Sequence, residues 1–330
     1  MSNQQQNKPV IGIDLLGNDN SPIDLLNDLL KHTANREDSD FVFLGTEDTY
    51  NYFLKNSPSN NMSFSLVKDT ISIEDNPLFA IRRKKNSSIS IGMKLLKEKK
   101  IDALVSAGNT GALMASAKMM LPMLPSISKA ALLALVPTKK SPLVIIDVGA
   151  NINCKASHLT NFAKIGIAFQ KIRYIDKPIV ALLNIGSEEK KGTIELRKAY
   201  QQLNELAKKN KNFSFLGNIE GKEVFNGDVN ILVTDGFTGN IFLKTAEGLA
   251  SFMLDKISES SNVNSIVAFE DLKKRLHYES YPGAILCGFD GIVVKCHSYS
   301  NSKAIIKAIN GAIDLINKDF IKVLTKNLTI

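Results

Sequence analysis

Tryptophan is absent from this chain of 330 residues, which contains only 3 cysteines and 4 histidines. Cys154, Cys287 and Cys296 are too few and too far apart for a disulfide framework or a zinc site, so we expect reduced thiols. No run approaches the roughly eighteen apolar residues of a membrane-spanning helix, and the polar start before Ile11 does not resemble a secretory signal. We therefore expect a cytoplasmic protein with a disordered tail at residues 1–8.

The sequence also lacks the motifs of several common enzyme classes. It has no G-x-x-x-x-G-K-[ST] loop, no G-x-G-x-x-G at the first helix, no H-E-x-x-H and no G-x-S-x-G. These absences argue against a P-loop NTPase, a standard dinucleotide fold, a zinc hydrolase and a serine esterase. No cofactor and no metal are expected.

The charged residues give a net charge of +8, while 44% of residues are hydrophobic and 22% are charged, as in ordinary globular proteins. A basic chain favours anionic partners, such as nucleic acid, an anionic membrane, a phosphate ligand or an acidic carrier protein. Aromatic-rich ribonucleoprotein motifs, zinc-finger spacing and a long basic arm are all missing. We therefore expect no nucleic-acid partner.

Short apolar runs alternate with stretches of helical periodicity, a pattern typical of an α/β fold with a mainly parallel sheet flanked by helices. The predicted strands are Val10–Asp14, Phe41–Leu44, Ser63–Val67, Ala103–Ser106, Leu143–Asp147, Ile179–Leu183, Phe213–Leu216 and Ile231–Thr234. The predicted helices are Ile23–His32, Ser88–Lys97, Gly111–Met120, Leu159–Lys171, Ile194–Lys208, Ile241–Ile257 and Ser302–Lys318. We expect a single domain over residues 9–330, with a helical excursion at about residues 252–281.

Polar loops that contain glycine follow five of the predicted strands. They are Asp14–Asp19, Ala107–Gly111, Val148–Asn151, Asn184–Gly192 and Asp235–Asn240. In a parallel sheet such loops share the carboxyl edge, where ligands bind. Glycine allows close approach of a ligand, and the helix N-termini that follow offer free N–H groups. Each loop alone also fits a helix cap or a tight turn, but together they predict a phosphate-binding cradle.

Six segments carry a resemblance to a known family. They are SAGNTGALMA (Ser106–Ala115), RRKKNSS (Arg82–Ser88), DVGAN (Asp147–Asn151), LLNIGSEEKKG (Leu182–Gly192), FLGNIEG (Phe215–Gly221) and VTDGFTGNIFLKTAEG (Val233–Gly248). These motifs follow one another along the chain in the family's order, and they resemble the phosphate acyltransferase PlsX family of bacterial phospholipid synthesis. The resemblance implies a Rossmann-like three-layer sandwich of the isocitrate dehydrogenase and phosphotransacetylase type.

The resemblance also implies an activity and partners. The activity is transfer of a long-chain fatty acyl group from acyl carrier protein to inorganic phosphate, which gives acyl phosphate for glycerol-3-phosphate acylation. The implied assembly is a homodimer with peripheral contact to the inner face of the cell membrane. There it would hand its product to a membrane glycerol-3-phosphate acyltransferase.

This reaction needs positioning and electrostatic stabilisation more than a strong base, because phosphate is already ionised at neutral pH. We therefore expect Lys191 to stabilise charge, Asn240 to donate to the oxyanion or phosphate, and His297 to protonate the leaving thiolate. The residues expected to bind phosphate or substrate are Asp14, Gly17, Asn109, Thr110, Gly111, Asp147, Asn151, Asp235, Thr238, Gly239 and Lys244. Among them, Asp14, Asp147 and Asp235 lie at strand ends and are expected to orient loop N–H groups or Lys191.

The chain departs from the family pattern in its opening motif, which reads Asp-x-Met-Gly-Gly-Asp-His in the family. Asn18 and Asn20 replace the second glycine and the histidine, so an acid–base role cannot transfer to position 20. The family's His-Gly-Ser-Ser becomes His297-Ser298-Tyr299-Ser300. Two alternatives stay open: a phosphotransacetylase-like enzyme that uses coenzyme A thioesters, and a non-catalytic protein that binds acyl carrier protein or the membrane.

Two basic segments are candidates for the rim that receives an acidic carrier, Arg82–Lys85 and Lys273–Arg275. A group of apolar residues is expected to line an acyl channel, a dimer interface or a membrane-facing edge, or to pack in the core. They are Phe252, Met253, Leu254, Ile257, Ile266, Val267 and Phe269.

Overall fold

The computed structural model describes residues 8–56, 59–259 and 283–328. Residues 1–7 of the predicted tail, most of the predicted excursion and the basic segment at 273–275 lie outside the described residues. The chain divides into two compact units. Unit 1 comprises Met1–Met123 with Phe289–Ile321, and unit 2 comprises Leu124–Gly288 with Lys322–Ile330. The prediction of one domain over residues 9–330 stays a prediction.

Strands and helices alternate along most of the described chain. The strands are β1 (Val10–Asp14), β2 (Asp40–Gly45), β3 (Met62–Leu66), β4 (Ala103–Ser106), β5 (Ala131–Val136), β6 (Leu143–Ile146), β7 (Ile179–Leu183), β8 (Ser214–Ile219), β9 (Ile231–Val233), β10 (Ala284–Cys287) and β11 (Ile292–Lys295). The helices are α1 (Pro22–Thr33), α2 (Glu47–Asn56), α3 (Pro77–Arg83), α4 (Ser88–Lys97), α5 (Thr110–Met120), α6 (Ala156–Ile172), α7 (Ile194–Lys209), α8 (Gly236–Ser258), α9 (Ser302–Asn317) and α10 (Phe320–Leu328).

Unit 1 has a parallel sheet with the strand order β3-β2-β1-β4-β11. Residues 11–14 of β1 are all buried, as expected for a strand covered on both faces. Asp14 lies opposite Ser106, which in turn lies opposite Lys295. The loops that follow β1, β4 and β11 therefore leave the sheet side by side at its carboxyl edge.

Unit 2 has a mixed sheet with the strand order β10-β5-β6-β9-β7-β8. Strands β6, β9, β7 and β8 are parallel, whereas β5 runs antiparallel to both β6 and β10. The loops after β6, β7 and β9 thus meet at one edge. The antiparallel direction of β5 places its first residue, Ala131, at that edge as well.

The predicted fold class is confirmed, since mainly parallel sheets flanked by helices form both units. Three predicted strands match β1, β4 and β7 residue for residue. The prediction missed β5, β10 and β11 and the helices α2, α3 and α10. It was also wrong about the start of α8, which begins at Gly236 and not at Ile241. Among the described helices, none combines the length and the apolar character needed to cross a bilayer.

Candidate functional site

In unit 1, Asp14 joins the loops that follow β1 and β4. Its side chain is buried and accepts hydrogen bonds from the Leu16 N–H at 2.9 Å and from the Ser106 hydroxyl at 2.7 Å. The Ser106 oxygen accepts in turn from the Gly108 N–H at 3.0 Å. Burial raises the pKa of Asp14, while its hydrogen bonds and the charge of Lys295 act in the opposite direction. Asp14 is therefore a buried brace for both loops.

Gly17 brings the same two loops into backbone contact. Its φ of 72° lies in the left-handed region, and a Cβ there would lie 2.7 Å from the Cα of Gly108. Both the conformation and the lack of space exclude a side chain at this position. Gly17 thus holds the opening loop against the loop that leads into α5.

Asn109 begins α5 as its N-cap. Its Oδ1 accepts from the Ala112 N–H at 3.0 Å, and its Nδ2 donates to the carbonyls of Ser72, Ile73 and Asp75 at 3.2, 2.9 and 3.3 Å. The Asn109 side chain is therefore committed to the fold. The backbone N–H groups of the next two residues, at the start of α5, donate to no acceptor among the described residues.

Those two residues are Thr110 and Gly111, the other members of the predicted cradle in this loop. Gly111 is required by packing, because a Cβ there would lie 2.5 Å from Cγ of Pro77 in α3. Thr110 is half-buried at the first position of the helix. Two open N–H groups at a helix N-terminus suit an anion.

His297 follows β11 in a turn that is tied to the opening loop. Its ring stacks on Tyr299, with the ring centroids 5.2 Å apart. The Asp19 N–H donates to the Ser298 carbonyl at 2.8 Å. We call the contacts between residues 18–20 and residues 298–300 the asparagine clasp, because two asparagine side chains make most of them.

The clasp occupies the positions where the chain departs from the family pattern. The Asn18 amide donates to the Ser300 carbonyl at 2.8 Å, and the Asn20 amide donates to the same carbonyl at 3.0 Å. The Asn18 Oδ1 accepts from both the backbone and the side chain of Asn20, each at 2.8 Å. Position 20 therefore has a structural role in this chain, and it holds the turn that carries His297.

Lys295 is a residue that the sequence prediction missed. Its ammonium group donates to the carbonyl of Ala107 at 3.2 Å and to that of Cys296. It thereby secures the loop before α5 from the side of β11. In the sequence, Lys295 ends a short apolar run, and it was overlooked because that run was not predicted to be a strand.

In unit 2, the buried Asp147 holds the loop after β6. Its Oδ1 accepts from the N–H groups of Leu132, Gly149 and Ala150 at 2.9, 3.2 and 3.0 Å. Its Oδ2 accepts from the backbone N–H and the side-chain amide of Asn151, both at 2.8 Å. Burial raises the pKa of Asp147, and the hydrogen bonds that it accepts oppose this rise. All five partners are donors, so the ionised form satisfies the site best.

The first turn of α8 packs against this loop. Asp235 is the N-cap and accepts from the N–H and the hydroxyl of Thr238, both at 2.9 Å. The Gly236 N–H donates to the Asn151 carbonyl at 2.7 Å. A Cβ at Gly239 would overlap the Asp147 carbonyl oxygen, so glycine is required there. This close packing explains why the helix begins at Gly236 despite its glycine content.

Asn151, Thr238 and Asn240 therefore have different roles. The Asn151 amide donates to Ala130 and Asp147, so both of its N–H bonds are used, and the Thr238 hydroxyl donates to Asp235. Asn240 is exposed, and its Oδ1 lies 3.6 Å from the position that a Cβ of the neighbouring Gly149 would take. Within the described chain no hydrogen bond engages the Asn240 amide.

Lys191 lies in the loop after β7. The Asn184 amide donates to the Lys191 carbonyl at 3.2 Å, and Asn218 donates to the Glu188 carbonyl at 2.8 Å, so the backbone of the loop is fixed. The Lys191 ammonium lies 3.8 Å from the Glu188 carboxylate, and the two side chains are 49% and 65% exposed. Such a pair contributes at most about 1 kcal/mol, so Lys191 can exchange this partner for an anion.

Lys244 lies in the third turn of α8, because the helix begins five residues before the predicted start at Ile241. Its ammonium pairs with Glu247 at 2.8 Å. No group of three potential metal ligands occurs in the part of the chain that the structure describes. Apart from Lys244, the candidate residues lie in or directly after loops that leave the carboxyl edge of the sheet in their own unit.

Comparison with known proteins gives the family. A family model described as "fatty acid synthesis protein" matches residues 10–323. The phosphate acyltransferase of Chlamydia abortus is 40% identical over 311 residues, which cover 93% of this chain and 95% of that protein. The phosphate acyltransferase of Chlamydia pneumoniae is 39% identical over 327 residues, which cover 96% and 98%.

A solved phosphotransacetylase from Streptococcus pyogenes has the same fold, with a TM-score of 0.62 and 17% identity over 94% of each chain. The predicted phosphotransacetylase-type fold and the family resemblance are therefore both confirmed. The chain belongs to the fatty acid synthesis protein family, the phosphate acyltransferases, and is an enzyme of the acyltransferase class.

Proposed function

We propose that this enzyme transfers a long-chain fatty acyl group from acyl carrier protein to inorganic phosphate. The observation that carries the proposal is the match to phosphate acyltransferases over more than nine-tenths of the chain. In the reaction a phosphate oxygen attacks the thioester carbonyl, a C–O bond forms, the C–S bond breaks and the carrier thiolate leaves. The product, an acyl phosphate, would serve glycerol-3-phosphate acylation.

Each proposed role rests on the geometry within one unit. In unit 2, Lys191 has an exposed and weakly held ammonium group, which suits stabilisation of negative charge in the transition state. Asn240 has an unengaged amide beside Gly149, which suits donation to an oxyanion or to phosphate. Neither role requires a general base, because phosphate is already ionised at neutral pH.

In unit 1, the open N–H groups of Thr110 and Gly111 are proposed to bind phosphate. His297 is proposed to protonate the leaving thiolate. Lys244 pairs with Glu247 on α8. The remaining predicted residues act as braces: Asp14, Gly17 and Asn109 in unit 1, and Asp147, Asn151, Asp235, Thr238 and Gly239 in unit 2. They hold loops in place and leave the ligand contacts to backbone N–H groups, Lys191, Asn240 and His297.

The deciding experiment incubates the protein with palmitoyl acyl carrier protein and phosphate and traps acyl phosphate with hydroxylamine. Hydroxamate formation is expected. A folded protein that gives no hydroxamate would contradict the proposal, and activity with acetyl-coenzyme A alone would favour a phosphotransacetylase-like enzyme. A homodimer and contact with the inner face of the membrane stay proposals, to be checked by sedimentation and by vesicle binding.

The Lys191→Ala and Asn240→Ala variants test the mechanism. Each is expected to lower turnover at least tenfold, which corresponds to about 1.4 kcal/mol of lost transition-state stabilisation. Both side chains are exposed, so the unfolding midpoint should match that of the wild type. The matched control is Lys190→Ala, an exposed lysine next to Lys191 in the same loop. Turnover near the wild-type value in both variants would remove these two residues from the mechanism.

A further inference from the structure

The outer face of α3 in unit 1 combines exposed apolar and basic side chains. Leu78 and Phe79 are 59% and 55% exposed, although apolar side chains of this size are usually buried. Arg82 and Arg83 follow one helical turn later on the same face, since residues four apart are neighbours on a helix. The Arg83 guanidinium lies 4.1 Å from the centre of the Phe79 ring. We call these four residues the α3 face.

The charge on the α3 face is unbalanced. Lys84, on the other side of the helix end, pairs with Asp75 at 2.6 Å, and its ammonium holds the pKa of that carboxyl below its usual value. Arg82 and Arg83 have no carboxylate within ion-pair distance among the described residues. Two cations beside two exposed apolar side chains complement a surface that is acidic and partly apolar.

The position of the α3 face links it to the candidate phosphate loop. Pro77, the first residue of α3, packs directly on Gly111 at the start of α5. The segment before α3 is held by the Asn109 amide, which donates to the Ile73 and Asp75 carbonyls at 2.9 and 3.3 Å. A macromolecule seated on the α3 face would therefore lie next to residues 109–111.

We propose that the α3 face is the docking surface for the acidic protein that carries the acyl thioester. The inference rests on the proposed function, since that function supplies a protein-bound donor. Arginine and aromatic side chains are the residues most often responsible for binding energy at interfaces. A lipid surface is disfavoured because α3 spans only two turns, whereas helices that lie in a membrane interface are usually much longer.

The test compares a carrier-bound donor with a carrier-free donor. In the double variant Arg82→Glu/Arg83→Glu, kcat/KM relative to the wild type should fall for palmitoyl carrier protein by a factor at least ten times larger than for palmitoyl-N-acetylcysteamine. The matched control is Lys94→Glu/Lys97→Glu, which changes the net charge equally on the exposed side of α4. High salt should reduce the difference in kcat/KM between the wild type and the Arg82→Glu/Arg83→Glu variant with the carrier-bound donor, because salt screens exposed charges. Leu78→Ser, which keeps the charge, should also raise KM for the carrier-bound donor selectively.

Direct binding separates this inference from the proposed function. Fluorescence anisotropy of labelled holo-carrier without an acyl group reports docking in the absence of turnover. One outcome is that the wild type binds the carrier but forms no acyl phosphate, while the Arg82→Glu/Arg83→Glu variant no longer binds the carrier. In that case the docking surface stands and the proposed function fails. If turnover is normal and both double variants behave alike, the docking surface is refuted. The docking surface would also be refuted, in favour of a lipid contact, if the Arg82→Glu/Arg83→Glu variant bound the carrier like the wild type but no longer bound anionic phosphatidylglycerol vesicles.

Discussion

The carboxylate of Asp147 offers the sharpest test of how unit 2 holds its candidate residues. Asp147→Asn keeps the shape of the side chain but converts one acceptor oxygen into an NH2 group. If that group takes the place of Oδ2, it faces the two donors of Asn151; in the place of Oδ1 it faces three other N–H donors. At least two hydrogen bonds are therefore replaced by contacts between donors.

The magnitude follows from the number of bonds. A hydrogen bond to a charged acceptor contributes about 1.5–3 kcal/mol, so the loss of two should lower the free energy of unfolding of unit 2 by about 3–6 kcal/mol. With a urea m-value of about 2 kcal/mol/M, the unfolding midpoint should fall by about 2 M. The same loss should accelerate hydrogen exchange of the amides at residues 149–151 by about 100-fold or more.

Urea titration followed by far-UV circular dichroism, together with hydrogen exchange of a peptide covering residues 143–152, measures both effects. Asp228→Asn is the matched control, because this exposed carboxylate of the same unit pairs with Lys140 at 2.5 Å and should contribute less than about 1 kcal/mol. If Asp147→Asn and Asp228→Asn had the same midpoint and the loop amides exchanged at the wild-type rate, Asp147 would not hold this loop.

Two further predictions concern the asparagine clasp and a thiol. Asn20→Ala removes its side-chain bonds to Ser300 and Asn18, so it should shift the NMR signals of the His297 ring and leave those of His158 in place. An unchanged His297 spectrum would show that the clasp does not set its environment. Burial raises the pKa of Cys154 from 9.0 to about 11, so only about 0.1% of it is thiolate at pH 8, against about 10% for an ordinary thiol. Alkylation of Cys154 should therefore be about 100-fold slower than that of free cysteine at pH 8, and its rate should rise up to about pH 11. If Cys154 and free cysteine were alkylated at comparable rates at pH 8, the burial argument would be wrong.

The sequence allowed prediction of those parts of the fold that depend on local patterns. Buried runs such as Val10–Asp14 and Ile179–Leu183 are apolar, short and bounded by polar or glycine residues, so their limits could be read directly. The polar loops after them followed from the same pattern. By contrast, Ala131–Val136 consists of alanine, leucine and valine, which fit a buried helix as well as a strand. Only its antiparallel pairing with β6 and β10 makes it a strand.

The roles of individual side chains were harder to predict, because they depend on partners far away in the chain. Asn20 donates to Ser300, which lies 280 positions later, and Lys295 donates to Ala107 across 188 positions. Asn109 appeared as a ligand candidate, yet its amide is taken up by three carbonyls of the segment before α3. Residue type and place in a loop indicate which groups can bind an anion, while tertiary hydrogen bonds decide which of them are left to do so.

The strand order of unit 1 has a consequence for synthesis on the ribosome. Strand β4 ends at Ser106, but its neighbour β11 is not made until residues 292–295, after nearly all of unit 2. Until then the nascent sheet keeps one long side of β4 unpaired, with its backbone groups open to other strands. The turn that bears His297 is also absent during this interval. Unit 1 therefore begins to be made first but cannot complete its sheet until residues 124–288 of unit 2 have been made. A chain released before that point would retain the unpaired edge of β4 and lack the histidine turn.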